Sequence, residues 1–322
     1  KTIAGLYLDG IEEISAIADN NEKNVRAQAI AKEIFSLSRE DAIRVTSAIL
    51  KSNDEKVWID LNAVVTAPYL DMGGKPFIPI AAGSGAMMYK GVFDGNGVTI
   101  SNLSVHSDFL ESKAYVYGQN VGMFGAISGG TVKNLILDNV DIQAHGQVQD
   151  YLASANSFVS TGAIVGWLNS GTIEGCYVSG NVDTYKKGQA VGGIVGTAFN
   201  GTIKNTLSVA TIKVAGDNAF VGGIAGRVKS GTVKIESSVY DGSLLQNTGN
   251  DGAMGGLVGL VTSKVSIVDG YYDSDAATGG VGTVDASGSV IGDNTGVGNS
   301  VVNQEEYVCL LNKGTWNNGS CT

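Results

Sequence analysis

The sequence predicts an all-β chain closed as a right-handed parallel β-helix, a solenoid with small helical caps at its N- and C-terminal ends. Three observations carry this expectation. A short glycine-aliphatic frame recurs in five places, VGMFGAISGGTV (121–132), TGAIVGWLNSGTI (161–173), VGGIVGTAFNGTI (191–203), VGGIAGRVKSGTV (221–233) and MGGLVGLVTSKVSI (254–267). The second glycine of each core, Gly125, Gly166, Gly196, Gly226 and Gly259, recurs at intervals of 41, 30, 30 and 33 residues, the range of stacked supersecondary units that cannot bury an apolar face alone. The chain holds 46 glycines and 3 prolines among 322 residues, and Val, Ile, Thr and Ser crowd the repeats, which favours short strands joined by tight turns.

Within each copy, the residues two before and two after the anchor glycine are apolar: Met123, Ile164, Ile194, Ile224 and Leu257, then Ile127, Leu168, Ala198, Val228 and Val261. A period of two puts them on one face, and the anchor glycine between them lets the coil approach a neighbouring wall. Polar turns follow, with Gly130, Gly171, Gly201 and Gly231 in register, where a positive φ would explain glycine; the fifth copy carries Lys264 instead, so its turn must differ. After each turn runs a second apolar stretch such as TIKNTLSVATIKV, long enough for two more strands. Without helices or hairpin dipeptides between copies, the unit closes best as one coil; an antiparallel sandwich is the alternative.

The GxxG frame resembles the GLUG motif, a short repeat of bacterial surface proteins. FIPIAAGSGAMMYKGVFDGNGVTISNLSV (77–105) is similar to the segment that commonly opens such repeats, with its FDGNG run the more specific part. The two together cover about two thirds of the chain. The resemblance implies a β-helical fold, a secreted or cell-surface location and an adhesin-like role, and it implies no shared active site. The chain departs from the pattern at its 41-residue first interval, at Ala163 in place of the first core glycine, and at Lys264.

The expected domains are an N-terminal helical segment or cap at 1–56, the solenoid at 57–275, and a Gly/Ser-rich loop with a C-terminal cap at 276–322. Spacing of three and four over 22–52 suits helices, and Ser38 with Asp41 resembles a capping box ahead of a helix over 38–51. VWIDLNAVV (57–65) is expected as the first strand, 274–300 as a mobile loop, and NQEEYVCLLNK (303–313) as a short helix. Caps are needed because exposed coil edges recruit other chains.

A net charge of −10 argues against nucleic acid as a partner, and no apolar run approaches the ~20 residues that span a bilayer. No charged-then-apolar leader opens the chain at Lys1, as expected of a mature fragment. Cys309 and Cys321 are close enough in sequence to form a terminal disulfide, with two free thiols the alternative, whereas Cys176 reads as a small buried hydrophobe.

The two histidines, His106 and His145, form no HExxH, and GNG at 95–97 precedes strand-like residues rather than a phosphate-binding helix. Asp94 of DGNG reads as a turn cap rather than half a calcium loop, and Asp273 and Asp275 of YYDSD as turn carboxylates rather than cation ligands. Equivalent positions after the anchors (Ala126, Trp167, Thr197, Arg227, Leu260; Ser128, Asn169, Phe199, Lys229, Thr262) contain no carboxylate column, which β-helical lyases and glycosidases require. Three residues after each turn glycine stand Lys133, Glu174, Lys204 and Lys234, read as a solvated ladder. The expectation is therefore no catalytic residue, no metal and no cofactor. Trp167, which alternation turns outward, and Tyr151, in the insertion that lengthens the first interval, are the candidate ligand-binding aromatics, against local packing as the plainer role.

The function expected is a non-catalytic, secreted or cell-surface bacterial module, adhesin-like or structural, with a glycan or host surface protein as its binding partner, and acting as a monomer. The rivals are a polysaccharide-processing β-helix enzyme and a passive spacer of a larger surface protein.

Overall fold

The β-branched residues that alternate along the repeats pair with their counterparts in the next copy, and all pairing between copies is parallel. The computed structural model describes residues 88–106, 120–144, 159–184, 189–215, 218–246 and 252–297 continuously, with shorter stretches at 58–60 and 69–74 and near both ends. One copy shows the path: Ala190–Gly192, a two-residue bend, Val195–Ala198, then Gly201–Lys204, Leu207–Ser208 and Thr211–Val214. Equivalent strands stack into sheets of 16, 6 and 5 strands. The chain is all-β among the described residues apart from helical positions at Glu22, Val25 and Ala29, where Asp19 Oδ1 accepts the Glu22 N–H at 2.9 Å as an N-cap. Parallel sheets built coil on coil make the arrangement β-helix-like. Among the described residues the one antiparallel pair, Trp316–Asn317 with Ser320–Cys321, lies outside the repeats, so the repeats do not form the antiparallel sandwich.

The interior is filled by columns of apolar residues in register. Ile59, Phe93, Val132, Ile173, Ile203, Ile235 and Ile267 stand one above the next. From Phe93 onward these are at most 1% exposed, and each fully buried side chain contributes about 1.5–3 kcal/mol. Each of these side chains packs on its counterparts in the coils before and after, so the stack is stabilised by neighbours.

The anchor glycines do what their spacing predicts. A Cβ on Gly166 would meet the backbone of Asn120 and Val121 at 2.7–2.8 Å, and those on Gly196, Gly226 and Gly259 would meet the equivalent strands at Ser160–Thr161, Ala190–Val191 and Phe220–Val221. At these glycines the two smaller sheets therefore touch backbone to backbone, with no room for a side chain. The first core glycines make room for larger residues: a Cβ on Gly223 would enter the ring of Tyr240, and one on Gly256 the ring of Tyr272.

Three expectations are corrected. Positive φ occurs at Gly201 (123°) and Gly231 (65°), but in the two earlier copies it falls one residue sooner, at Gly129 (71°) and Ser170 (56°). Gly130 and Gly171 are required for space instead, because a Cβ there would crowd Tyr89 O at 2.9 Å and Gly130 O at 2.8 Å respectively. The segment 274–300 is not a plain loop. It contains Val281–Val284 and Ser289–Val297, paired in parallel with Val258–Val261 and Lys264–Asp273. GGVGTV (279–284) is thus a sixth copy, and a Cβ on its anchor, Gly282, would meet the Met254 backbone at 2.6 Å.

The charge ladder is also different. Gly201 pairs with Val233 and Lys204 with Glu236, whereas Lys234 lies beside Thr202, because the fourth turn holds two more residues than the third. The column starts with two carboxylates, Asp60 and Asp94, and from Asp94 it runs Lys133, Glu174, Lys204, Glu236 with alternating sign. Lys133 Nζ lies 3.3 Å from Asp94 Oδ2 and Lys204 Nζ 3.1 Å from Glu174 Oε1. The residues after Lys133, Glu174, Lys204 and Glu236 turn the corner with positive φ, at Asn134 (51°), Gly175 (58°), Asn205 (51°) and Ser237 (45°), as does Asp269 (53°) after Val268 in the next coil, a conformation that Asn, Asp and Gly tolerate best. Lys264 starts a strand opposite Thr232, so the fifth copy enters this sheet without a glycine turn.

Trp58–Asp60 is the first strand among the described residues, within the expected 57–65. The expected helices over 38–51 and 303–313, Tyr151 and the Cys309–Cys321 bond lie outside the described residues. Cys176 is fully buried and free, and burial pushes its thiol up to about 12.

Candidate binding face

Trp167 lies on Val165–Asn169, whose alternation buries Leu168 and leaves Trp167 and Asn169 half-buried on the outer side. Its neighbours along the stack are Ala126 before it, then Thr197, Arg227 and Leu260. Two residues further along each strand stand Asn169, Phe199 and Lys229. The two columns meet diagonally. The Trp167 and Phe199 rings stack with centroids 4.6 Å apart and planes at 23°. Lys229 Nζ lies over the Phe199 ring at 5.4 Å, and Arg227 Cζ over the Phe220 ring at 5.7 Å. Three adjacent coils thus present an indole, a phenyl ring and two cations on one outer face. Contacts of this kind are worth about 0.5–1.5 kcal/mol each.

The electrostatics of the face are set by partial burial. Burial holds the Lys229 ammonium below its ordinary value, with the Arg227 guanidinium adding to the effect. Burial likewise lowers Arg227, partly offset by Asp285. The Asp285 carboxylate is itself bonded to Ser287, accepting from its N–H at 2.9 Å and its hydroxyl at 2.8 Å. The Trp167 indole N–H is hidden from water and has no hydrogen-bond partner among the described residues. Beneath the face, Ser160 Oγ and Thr197 Oγ1 share a buried hydrogen bond of 2.7 Å that ties the two smaller sheets together.

Sequence reasoning identified Trp167 but not the partners that make it a face. Phe199 and Lys229 were visible as equivalent positions, and the overlooked signal was that aromatic and basic residues replace small ones in three successive copies. Tyr151 is not among the described residues, so its relation to Trp167 is not part of this geometry.

The other polar clusters are structural. Asp94 Oδ1 accepts the Asn96 N–H at 2.9 Å and the Asn134 side-chain amide at 2.9 Å, making it the turn cap expected of DGNG. Asp273 likewise caps its turn through the Asp275 N–H at 2.9 Å. Among the described residues no group of three or more His, Cys, Asp or Glu could hold a metal ion. Ser104, His106 and Asp141 come together, with His106 Nε2 3.2 Å from Ser104 Oγ and 3.0 Å from Asp141 Oδ2. Both contacts fall on the same ring nitrogen, whereas a Ser-His-Asp relay needs one partner on each, so this set packs two neighbouring strands. No helix among the described residues is long and apolar enough to cross a membrane.

No family model matches the chain. Over 141 residues, 42% of its length, it is 32% identical to halomucin of Haloquadratum walsbyi, and it spans about 1% of that relative. Among solved structures it is similar to a Bacteroides ovatus protein named only provisionally as an immunoglobulin A1 protease. The TM-score is 0.51 at 20% identity, and the match covers 87% of this chain and 88% of that one. At this identity the likeness is one of fold, and it extends over nearly the whole chain.

Proposed function

We propose that the chain is a β-solenoid of the GLUG-repeat kind, acting outside the cell or at its surface as a non-catalytic, adhesin-like module that binds glycan. The observation that carries the reading is the Trp167–Phe199 stack on the outer side of three adjacent coils. A rigid rod that holds two aromatic rings in register offers preorganised apolar surface, and sugar rings pack on such surfaces through their C–H faces. The partial likeness to halomucin, by its name a mucin, supports a surface location. Tyr151, from the insertion one coil earlier, belongs to the same proposal as a second aromatic contact. The module works as a monomer.

A glycan array probed with the chain and with Trp167→Ala tests this. The reading expects a defined set of retained glycans and a loss of about tenfold or more in affinity for the variant, in line with stacking worth 1–3 kcal/mol at binding sites. An array left blank by the native chain overturns it in favour of a spacer. Release of reducing ends or unsaturated products from any glycan would overturn the non-catalytic part.

A further inference from the structure

We infer that the sixth copy is a docking edge for an extended, basic strand of another protein, which adds to the end of the stack in parallel as a further coil would. This stands independently of the glycan reading. Apolar columns inside the solenoid are sealed by the coils on either side, and at the sixth copy one side is open. Leu168, Ala198, Val228 and Val261 are 0% exposed, whereas Val284, the next member of their column, is 45% exposed. Val265 is 0% exposed, and Val290 after it is only partly buried. On the outer side Ile291, beside Ser266, is 51% exposed, and Val268, two residues past Ser266, 49%. The backbone is open as well. Among the described residues Val281–Val284 and Ser289–Val297 each pair on one side only. The Ser289 N–H donates back to Ser263 O at 2.7 Å and the Asp285 N–H to Val261 O at 3.0 Å. Successive residues of a strand bond to opposite sides, so the N–H groups of Val290 and Val284 face outward. Unpaired strand groups beside half-exposed apolar side chains are what an added strand satisfies. Charge selects the kind of strand. The sequence has no Lys or Arg between Lys264 and Lys313, while Asp269, Asp273, Asp275, Asp285 and Asp293 fall in the last two coils. Arg227, two coils earlier, offsets Asp285. The remaining excess of carboxylates favours a partner with Lys or Arg between its apolar residues. It disfavours a second copy, whose own net charge is −10.

The test is fluorescence anisotropy of a labelled peptide, TIKNTLSVATIKV, titrated with the full chain. This is the chain's own segment 202–214, which pairs in parallel inside the stack and carries Lys204 and Lys213 with no acidic residue. Saturable binding at micromolar concentrations is expected, weakening as salt rises. The same peptide with both lysines changed to Glu, and a peptide of the same composition in scrambled order, are each expected to bind about tenfold more weakly. In the chain, Val290→Pro removes an outward N–H and is compatible with an edge strand, and it is expected to lose about threefold or more. Ile291→Lys, a change at an exposed position that keeps the fold should Val290→Pro unfold it, is also expected to lose about threefold or more. Trp167→Ala should bind the peptide as the native chain does, which separates this edge from the glycan face. Equal binding of the three peptides, no binding of any, or full binding by both edge variants overturns the inference. Sedimentation in which the chain alone associates at micromolar concentrations, and Val290→Pro does not, assigns the edge to a second copy and overturns the basic partner.

Discussion

Glu236, and not Lys234, lies opposite Lys204 in the parallel register, and Glu174 holds Lys204 from the other side with Nζ to Oε1 at 3.1 Å. The ladder is therefore a column of opposite charges and not a solvated wall. Lys204→Glu would stack three carboxylates in succession and is expected to lower stability by about 1 kcal/mol at low salt and by less at high salt, given that these groups are about one-third exposed. Lys234→Glu, whose neighbours are Thr202 and Ser266, is expected to stay within about 0.5 kcal/mol of the native chain. Denaturant midpoints at two salt concentrations check the contrast.

The first core glycine of each copy is set by what faces it. Gly223→Ala would drive a methyl group into the Tyr240 ring and the Gly256 carbonyl, both in a stack that cannot shift one coil alone, and a loss of about 1–3 kcal/mol is expected. Ala163 stands at the equivalent position of an earlier copy, where the register places Val178 in the column that later holds Ser208 and Tyr240. Ala163→Gly is expected to cost about 1–2 kcal/mol, through the lost burial of its methyl group together with backbone entropy. A thermal scan in which Gly223→Ala melts with the native chain would refute the close approach.

Turn positions divide in the same way. Gly201 combines φ of 123° with a Cβ direction blocked by the Gly171 carbonyl, and Gly201→Val is expected to cost about 1–3 kcal/mol or more. Gly279 lies inside the sixth copy, yet its Cβ would meet only the Val281 carbonyl at 3.4 Å and its φ is unexceptional. Gly279→Val is expected to be tolerated, and equal midpoints for the two variants would contradict the corner assignment.

Alkaline pH should weaken the fold. Burial pushes the Cys176 thiol from its ordinary 9.0 up to about 12, and burial also raises the phenols of Tyr89 and Tyr240. Above pH 9 the unfolded chain loses the thiol proton while the folded chain keeps it, so stability is fully present below pH 9 and is lost as pH rises toward about 12, at up to about 1.4 kcal/mol per pH unit for one group. Midpoints that fall between pH 8 and 11, with a shallower fall for Cys176→Ala between 9 and 10, are expected. Iodoacetamide should leave Cys176 unmodified in the native chain at pH 8 and modify it once the chain is unfolded.

Much of the coil was legible because glycine has few reasons to recur at a fixed interval. The anchors Gly166, Gly196, Gly226 and Gly259 are where a side chain would strike backbone, so the spacing alone located the contact between sheets. The sixth copy escaped because its interval is shorter and its composition, rich in Gly, Ser and Asp, resembles a loop; only its pairing with Val258–Val261 reveals it. The ladder was misread because turn glycines were aligned across a turn that gains two residues, and alignment by strand residues restores Lys204 to Glu236. The corner column of Asn134, Asn205 and Asp269 carries a recognisable signal, a short polar residue at the same step of three coils. On the binding face Trp167 was legible as a lone outward aromatic, but its stacking with Phe199 depends on a diagonal between coils that no single column displays.

The account stands on the parallel register between copies, and the step from the third to the fourth coil tests it most directly. Thr202 pairs with Lys234, which places their Cα atoms about 5 Å apart, within disulfide range, while Thr232, the residue after the turn glycine of the next copy, lies about 8 Å away, beyond it. In a chain with Cys309 and Cys321 replaced by Ser, Thr202→Cys with Lys234→Cys should oxidise readily to an intramolecular bond, read by mass spectrometry of the peptide digest. Thr202→Cys with Thr232→Cys should stay reduced under the same conditions. Bonding of the second pair and not the first would contradict the register, and with it the stack of coils that places Trp167, Phe199, Arg227 and Lys229 on one face.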